Sequence, residues 1–281
     1  MQIIKTAEGL LTALAQRKAS VGLVPTMGAL HKGHLSLIKR AISENATVVV
    51  SIYINPTQFD RKEDLTKYPR TLAADLILLE SLSKDLIIYT PSDETLYPQG
   101  IVSKNYDFGS LATHMEGASR PGHFNGVATV VEALFKRVKP HKAYFGEKDF
   151  QQLQIINALN QQLNMGIEII GCPIERTAEG LALSSRNTVL SEEQKKKAAQ
   201  IYQTLCLLID TIDTWSVNQM EHFFLTKIEA LAGFKVDYFA VAAVTDLVPV
   251  KTLDPTLNYR LFTAVFVGNI RLIDTLELVR K

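Results

Sequence analysis

The chain has 281 residues and a formal net charge of +1, and 47% of it is hydrophobic against 21% charged. That balance excludes intrinsic disorder and a fibrous repeat. It also excludes a global field that would draw nucleic acid or an anionic membrane, so any phosphate binding must come from locally placed groups. Cys172 and Cys206 are the two cysteines, which gives neither a disulfide framework nor a CxxC metal spacing and makes the cytoplasm the expected compartment.

The first twenty residues space polar and apolar side chains as a helix does and lack the apolar core and cleavage site of a signal peptide. The densest apolar run, Thr47 to Ile54, is far short of the ~20 residues of a membrane helix, so no span is expected. Short branched and aromatic runs at 21–24, 46–54, 86–89, 143–145 and 167–170 predict buried parallel strands. Between them, 35–41, 71–82, 126–138 and 150–163 repeat apolar residues three and four apart, as helices packing on a sheet do. The expected fold class is α/β, a doubly wound parallel sheet. After about Arg176 the texture changes to a polar loop, helices over 191–210 and 217–232, and strands over 236–244 and 259–267. This predicts a larger domain over 1–175 and a smaller α+β domain over 176–281 that closes over the site.

Ligands of open α/β sheets sit beyond the carboxyl ends of the strands, so the residues that follow each strand are the candidates. Met27, Gly28, Ala29, Leu30, His31, Lys32, Gly33 and His34 pass from the first predicted strand into a helix, a phosphate site with two imidazoles in it. Read alone, the same residues are a satisfied turn with two surface histidines, and HxxH without further ligands does not make a closed zinc site. After the second strand, Asn55-Pro56-Thr57-Gln58-Phe59-Asp60 offers amides to a small hydroxylated or carboxylated molecule, or is a proline turn with an Asx cap. Gly146, Glu147, Lys148 and Asp149 form an expected glycine turn before a helix that carries Gln152. Lys148 supplies a charge for phosphates, while Asp149 either accepts from a ribose or caps the helix. Leu183, Ser184, Ser185 and Arg186 precede Asn187 at the domain junction, where they either close over a triphosphate or form a solvated linker.

Taken in order, PTMGALHKGH, NPTQFD, EGASRPGHFNGV, FGEKDFQQ and LALSSRN resemble the pantothenate synthetase family, also called pantoate–β-alanine ligase, across 25–187, with weaker similarity at Arg271 to Asp274. The resemblance implies a Rossmann-like nucleotidyltransferase fold of the HIGH-motif superfamily and a homodimer. The implied reaction is a condensation of (R)-pantoate with β-alanine through a pantoyl adenylate, with ATP and Mg²⁺ as cofactors and AMP and pyrophosphate as products. It implies that Met27 to His34, Gly146 to Asp149 and Leu183 to Arg186 contact ATP, with His34 the catalytic histidine and His31, Lys148 and Arg186 sharing the phosphate charge. Gln58 and Gln152 would hold pantoate, Gln58 also lying near β-alanine, and Asn55 would line the same pocket. Arg120 and His123 lie in a segment similar to a loop near the active site. The resemblance assigns no protein ligand to the magnesium. Glu175 departs from the pattern: the family usually carries an apolar residue there, whose backbone contacts adenine, so a carboxylate implies somewhat weaker nucleotide affinity. Another HIGH-superfamily adenylyltransferase and a non-catalytic nucleotide-binding protein are the competing readings. Intact His31, His34, Lys148 and Arg186 argue against the latter.

Overall fold

The computed structural model describes residues 1–17, 19–59 and 62–279. Asp60 of the second motif and Lys18 of the N-terminal segment lie outside the described residues. Nine strands run in chain order: β1 (Gln2–Ile4), β2 (Val21–Thr26), β3 (Thr47–Ile52), β4 (Ile87–Tyr89), β5 (Lys142–Gly146), β6 (Glu168–Cys172), β7 (Phe234–Ala243), β8 (Tyr259–Val267) and β9 (Ile270–Leu278). The α-helices among them are α1 (Ala7–Ala15), α2 (Lys32–Glu44), α3 (Lys62–Lys67), α4 (Leu72–Leu82), α5 (Asp93–Leu96) and α6 (Glu116–Ser119). They continue with α7 (His123–Val138), α8 (Phe150–Gln162), α9 (Glu192–Ile209) and α10 (Val217–Glu229).

The chain forms two compact units. The first comprises Met1–Phe108, Arg120–Gly146 and Gln152–Pro173, and the second Gly109–Ser119, Glu147–Gln151 and Ile174–Lys281. In the first, six strands lie in the order β1-β4-β3-β2-β5-β6, every neighbouring pair is parallel, and helices cover both faces. The alternation of branched strands with amphipathic helices dictates this arrangement, because a strand buried on both faces needs a helix on each. Strand order reverses between β2 and β5, which makes the carboxyl end of β2 the topological switch point. One face of the sheet packs Val24, Val48, Val50 and Ile88 against Leu37, Ile38 and Ala41 of α2 and Leu79 of α4.

The N-terminus corrects the helical reading. Gln2–Ile4 is an edge strand paired with Ile87–Tyr89, and the helix begins only at Ala7, where Thr6 caps it by accepting from the Gly9 N–H. The second unit contains a three-stranded antiparallel sheet, β7-β8-β9, covered by apolar residues of α9 and α10 such as Leu205, Leu208, Phe224 and Ile228. Its third strand was not among the expected ones.

In the first unit α7 also carries a buried charge. Burial raises the pKa of Glu132, but hydrogen bonds from Lys136, Tyr106 and Lys104 (2.9 Å) outweigh it and lower the carboxyl from its usual 4.5 to about 2. A carboxyl depressed in the folded state stabilises the protein above its unfolded pKa and loses that contribution as pH falls toward the folded value. Glu132→Gln should therefore cost on the order of 1–3 kcal/mol at neutral pH. In urea unfolding, that gap should shrink as pH falls from 4.5 to 2; a gap constant over this window would contradict the assignment.

Candidate active site

The switch point places the first motif. Beyond Thr26 the chain turns through Gly28 at φ +81° and Ala29 at φ +50°, the left-handed region that only glycine enters without strain. It then enters α2 with His31 as N-cap. The two histidines close a reciprocal capping box. His31 Nδ1 accepts from the Gly33 N–H at 3.2 Å, and His34 Nδ1 accepts from the His31 N–H at 3.3 Å. Their ring centroids lie 4.1 Å apart. A neutral imidazole whose Nδ1 accepts carries its proton on Nε2, so the hydrogen-bond network assigns both rings as Nε2–H donors.

The N–H groups of the turn are spent within the fold. The Gly28 N–H donates to Thr26 Oγ1 at 3.2 Å, and those of Ala29 and Leu30 donate to Asp75 Oδ2 and Oδ1 at 3.0 and 2.8 Å. The turn is held from within, and the imidazoles become the groups suited to meet an anion.

The second motif joins the first through Gln58, whose Nε2 lies 3.2 Å from Met27 Sδ. Asn55 is 1% exposed, and its amide is spent on the fold. Asn55 Oδ1 accepts from Tyr97 Oη at 2.6 Å and Thr57 Oγ1 at 3.0 Å, while Nδ2 donates to Gln58 Oε1 at 3.0 Å and the Gly126 carbonyl at 3.1 Å. Burial pushes the Tyr97 phenol up, which keeps it protonated as the donor to Asn55. Arg120 and His123 both engage the Gln58 carbonyl, at 3.2 and 2.8 Å. Gln152 is half-buried at the start of α8. Gly146 closes β5 rather than making a glycine turn: its φ is not positive, and a Cβ there would meet nothing within 4 Å.

In the second unit, Lys148 Nζ lies 3.5 Å from Asp149 Oδ2, and Glu147 accepts from Arg260 at 3.1 Å. Arg260 in turn stacks over the Phe150 ring at 4.0 Å. Glu175 is exposed, and its carbonyl accepts from the Leu183 N–H at 2.9 Å. Ser184 Oγ caps a 3-10 turn over Ser185–Val189 by accepting from the Arg186 N–H at 3.3 Å. Leu183, Ser184 and Arg186 are half-buried, whereas Ser185 is buried. Asp75, Tyr97 and Gly126 are the residues that sequence reasoning passed over. Asp75 left a signal, a carboxylate in the otherwise apolar first turns of LAADLILLESL.

A doubly wound parallel sheet with a histidine-capped helix at its switch point belongs to the class of α/β proteins whose ligands sit beyond the carboxyl ends of the strands. A family model described as pantoate-beta-alanine ligase matches residues 2–277. A pantothenate synthetase of Bacteroides fragilis is 46% identical over 280 residues, covering 99% of each chain, and one of Flavobacterium psychrophilum is 45% identical over 268 residues, 95% of each. Among solved structures, a pantothenate synthetase of Thermus thermophilus matches all of both chains at 40% identity and TM-score 0.91. A Francisella tularensis pantoate-beta-alanine ligase, complexed with beta-gamma ATP and beta-alanine, is 35% identical with TM-score 0.83, covering 100% of this chain and 99% of its own. The chain belongs to the pantoate-beta-alanine ligase family.

Proposed function

We propose that this protein condenses (R)-pantoate with β-alanine at the expense of ATP, through a pantoyl adenylate. The observation that carries the reading is the pair of Nε2–H imidazoles fixed by their own helix cap at the switch point, in a chain whose relatives over its whole length are ligases of this kind. In the first step the pantoate carboxylate attacks the α-phosphorus of ATP and pyrophosphate leaves. In the second the β-alanine amine attacks the acyl carbon of the adenylate, losing a proton, and AMP leaves. No protein nucleophile is required, so the protein's contribution is positioning and neutralisation of developing charge. His34 and His31, with Lys148 and Arg186, are assigned to the phosphate charge; Gln58 and Gln152 are assigned to pantoate.

The donor set bears on the metal. Among the described residues no group of three or more His, Cys, Asp or Glu could hold an ion, and the assigned phosphate ligands are cationic or neutral donors. Mg²⁺ would enter with the triphosphate, since this ion keeps several waters and binds through substrate phosphates, and no residue of the chain is assigned to hold it. A homodimer and a cytoplasmic location complete the reading; Cys172 and Cys206, neither of them in a disulfide, suit a reducing compartment.

The test is AMP release from ATP and Mg²⁺ by the purified protein with pantoate and β-alanine omitted in turn. AMP should accumulate only with both present. Accumulation indifferent to pantoate would overturn the assignments of Gln58 and Gln152 and with them the ligase reading.

A further inference from the structure

We infer that Asp75 is a positioning residue for the adenylate-forming step, a buried two-oxygen clamp that sets the turn from which the catalytic histidines spring. Asp75 is 2% exposed, and a carboxylate buried to that extent is costly unless its lone pairs are filled. They are filled from one place: the adjacent N–H groups of Ala29 and Leu30 each take one oxygen, at 3.0 and 2.8 Å, and Thr71 Oγ1 lies 3.3 Å from both. One of the two clamped residues is under strain. Ala29 sits at φ +50°, where its Cβ is disfavoured, and it is followed within two residues by the N-cap His31. Turn and carboxylate are fitted to each other, since a Cβ added at Gly28 would lie 3.1 Å from Asp75 Oδ2.

The hydrogen bonds of this residue give it a positioning role. Both carboxylate oxygens are taken by the turn, and geometry explains the acid: two neighbouring N–H donors need two acceptor oxygens, and an amide supplies one. Preorganisation and ground-state affinity are thereby separated. Asp75→Asn keeps the volume, removes the charge and loses one of the two acceptors. Its turnover should fall while its affinity for ATP does not weaken.

The inference rests on the proposed function, and the experiment separates the two. Pantoate-dependent exchange of labelled pyrophosphate into ATP is measured for the wild-type protein, Asp75→Asn and Thr71→Val. Hydrogen exchange of the Ala29 and Leu30 amides and melting curves are recorded alongside. Asp75→Asn should lose about tenfold in kcat, the size of a charge-assisted hydrogen bond, with an unchanged or lower KM for ATP and faster exchange at those two amides. Thr71→Val, which retains the carboxylate but removes its hydroxyl donor, should shift in the same direction by about threefold, and it carries the test if Asp75→Asn does not fold. Wild-type kcat in folded Asp75→Asn, or a change confined to a raised KM for ATP, overturns the clamp. Wild-type protein without pantoate-dependent exchange overturns the ligase reading instead, and protection of the two amides then decides the clamp by itself.

Discussion

Replacing His34 by alanine should slow pantoate-dependent pyrophosphate exchange by about a hundred- to a thousandfold, the loss expected when a preorganised donor to developing charge is removed. Two functions meet in this ring. Its Nδ1 accepts from the His31 N–H, which fixes the ring and puts the neutral imidazole's proton on Nε2, the atom that the proposed function assigns to the phosphate. Alanine removes both, yet the structural cost is that of one helix cap, about 1 kcal/mol. Melting should therefore shift by only a few degrees while the rate collapses. His34→Asn separates the two losses: its amide oxygen can restore the cap and the melting temperature but not the Nε2 donor. A folded His34→Ala protein within threefold of wild-type exchange would remove His34 from the mechanism.

Gly126→Ala should be among the most damaging single-methyl changes in the chain. A Cβ at this position of α7 would overlap the Thr57 carbonyl and come within 2.7 Å of Gln58 Cα. Both obstacles are backbone, so no rotamer change relieves them, and the helix must move away from the turn over Pro56–Gln58. Overpacking of this kind costs about 1–3 kcal/mol and sometimes more. The displacement would also stretch the Asn55 Nδ2 bond to the Gly126 carbonyl, now 3.1 Å, and the bonds by which Arg120 and His123 hold the Gln58 carbonyl. The expected result is a lower urea midpoint together with a KM for pantoate raised by about tenfold, of the order of one lost hydrogen bond to a charged group. Unchanged stability and unchanged KM would show that α7 does not brace Gln58.

The parallel strands of the sheet's centre were legible because each is a short branched run between helical stretches, and this alternation is written into consecutive residues. β1 was not: three residues carry too little periodicity to be told from the helix that follows, and only pairing with Ile87–Tyr89 makes them a strand. β9 escaped in a different way. Arg271 to Asp274 were noticed for their similarity to a family, yet their side chains alternate across an antiparallel ladder with β8. Boundaries moved where a cap decided them, as at His31, which starts α2 three residues before the apolar spacing does, and at Gly122, whose φ of +81° precedes α7.

The candidate site divides along the same line. That two histidines, two amides and a lysine follow strand ends could be read from order and spacing, because a strand-to-helix junction is local and its residues are neighbours in the chain. What each polar atom does could not. The turn N–H groups are taken by Thr26 and by Asp75, the latter about 46 positions away, and the Asn55 amide, which the order of residues offers to a ligand, bonds to Tyr97 and Gly126. By itself the amino-acid order determined the α/β class, the succession of central strands and helices, and the places where chemistry gathers, since these depend on hydrophobic period and local turn residues. Only the tertiary structure decided which donors are spent and which remain for a substrate, because hydrogen-bond partners distant in sequence are chosen by the packing of the sheet and its helices.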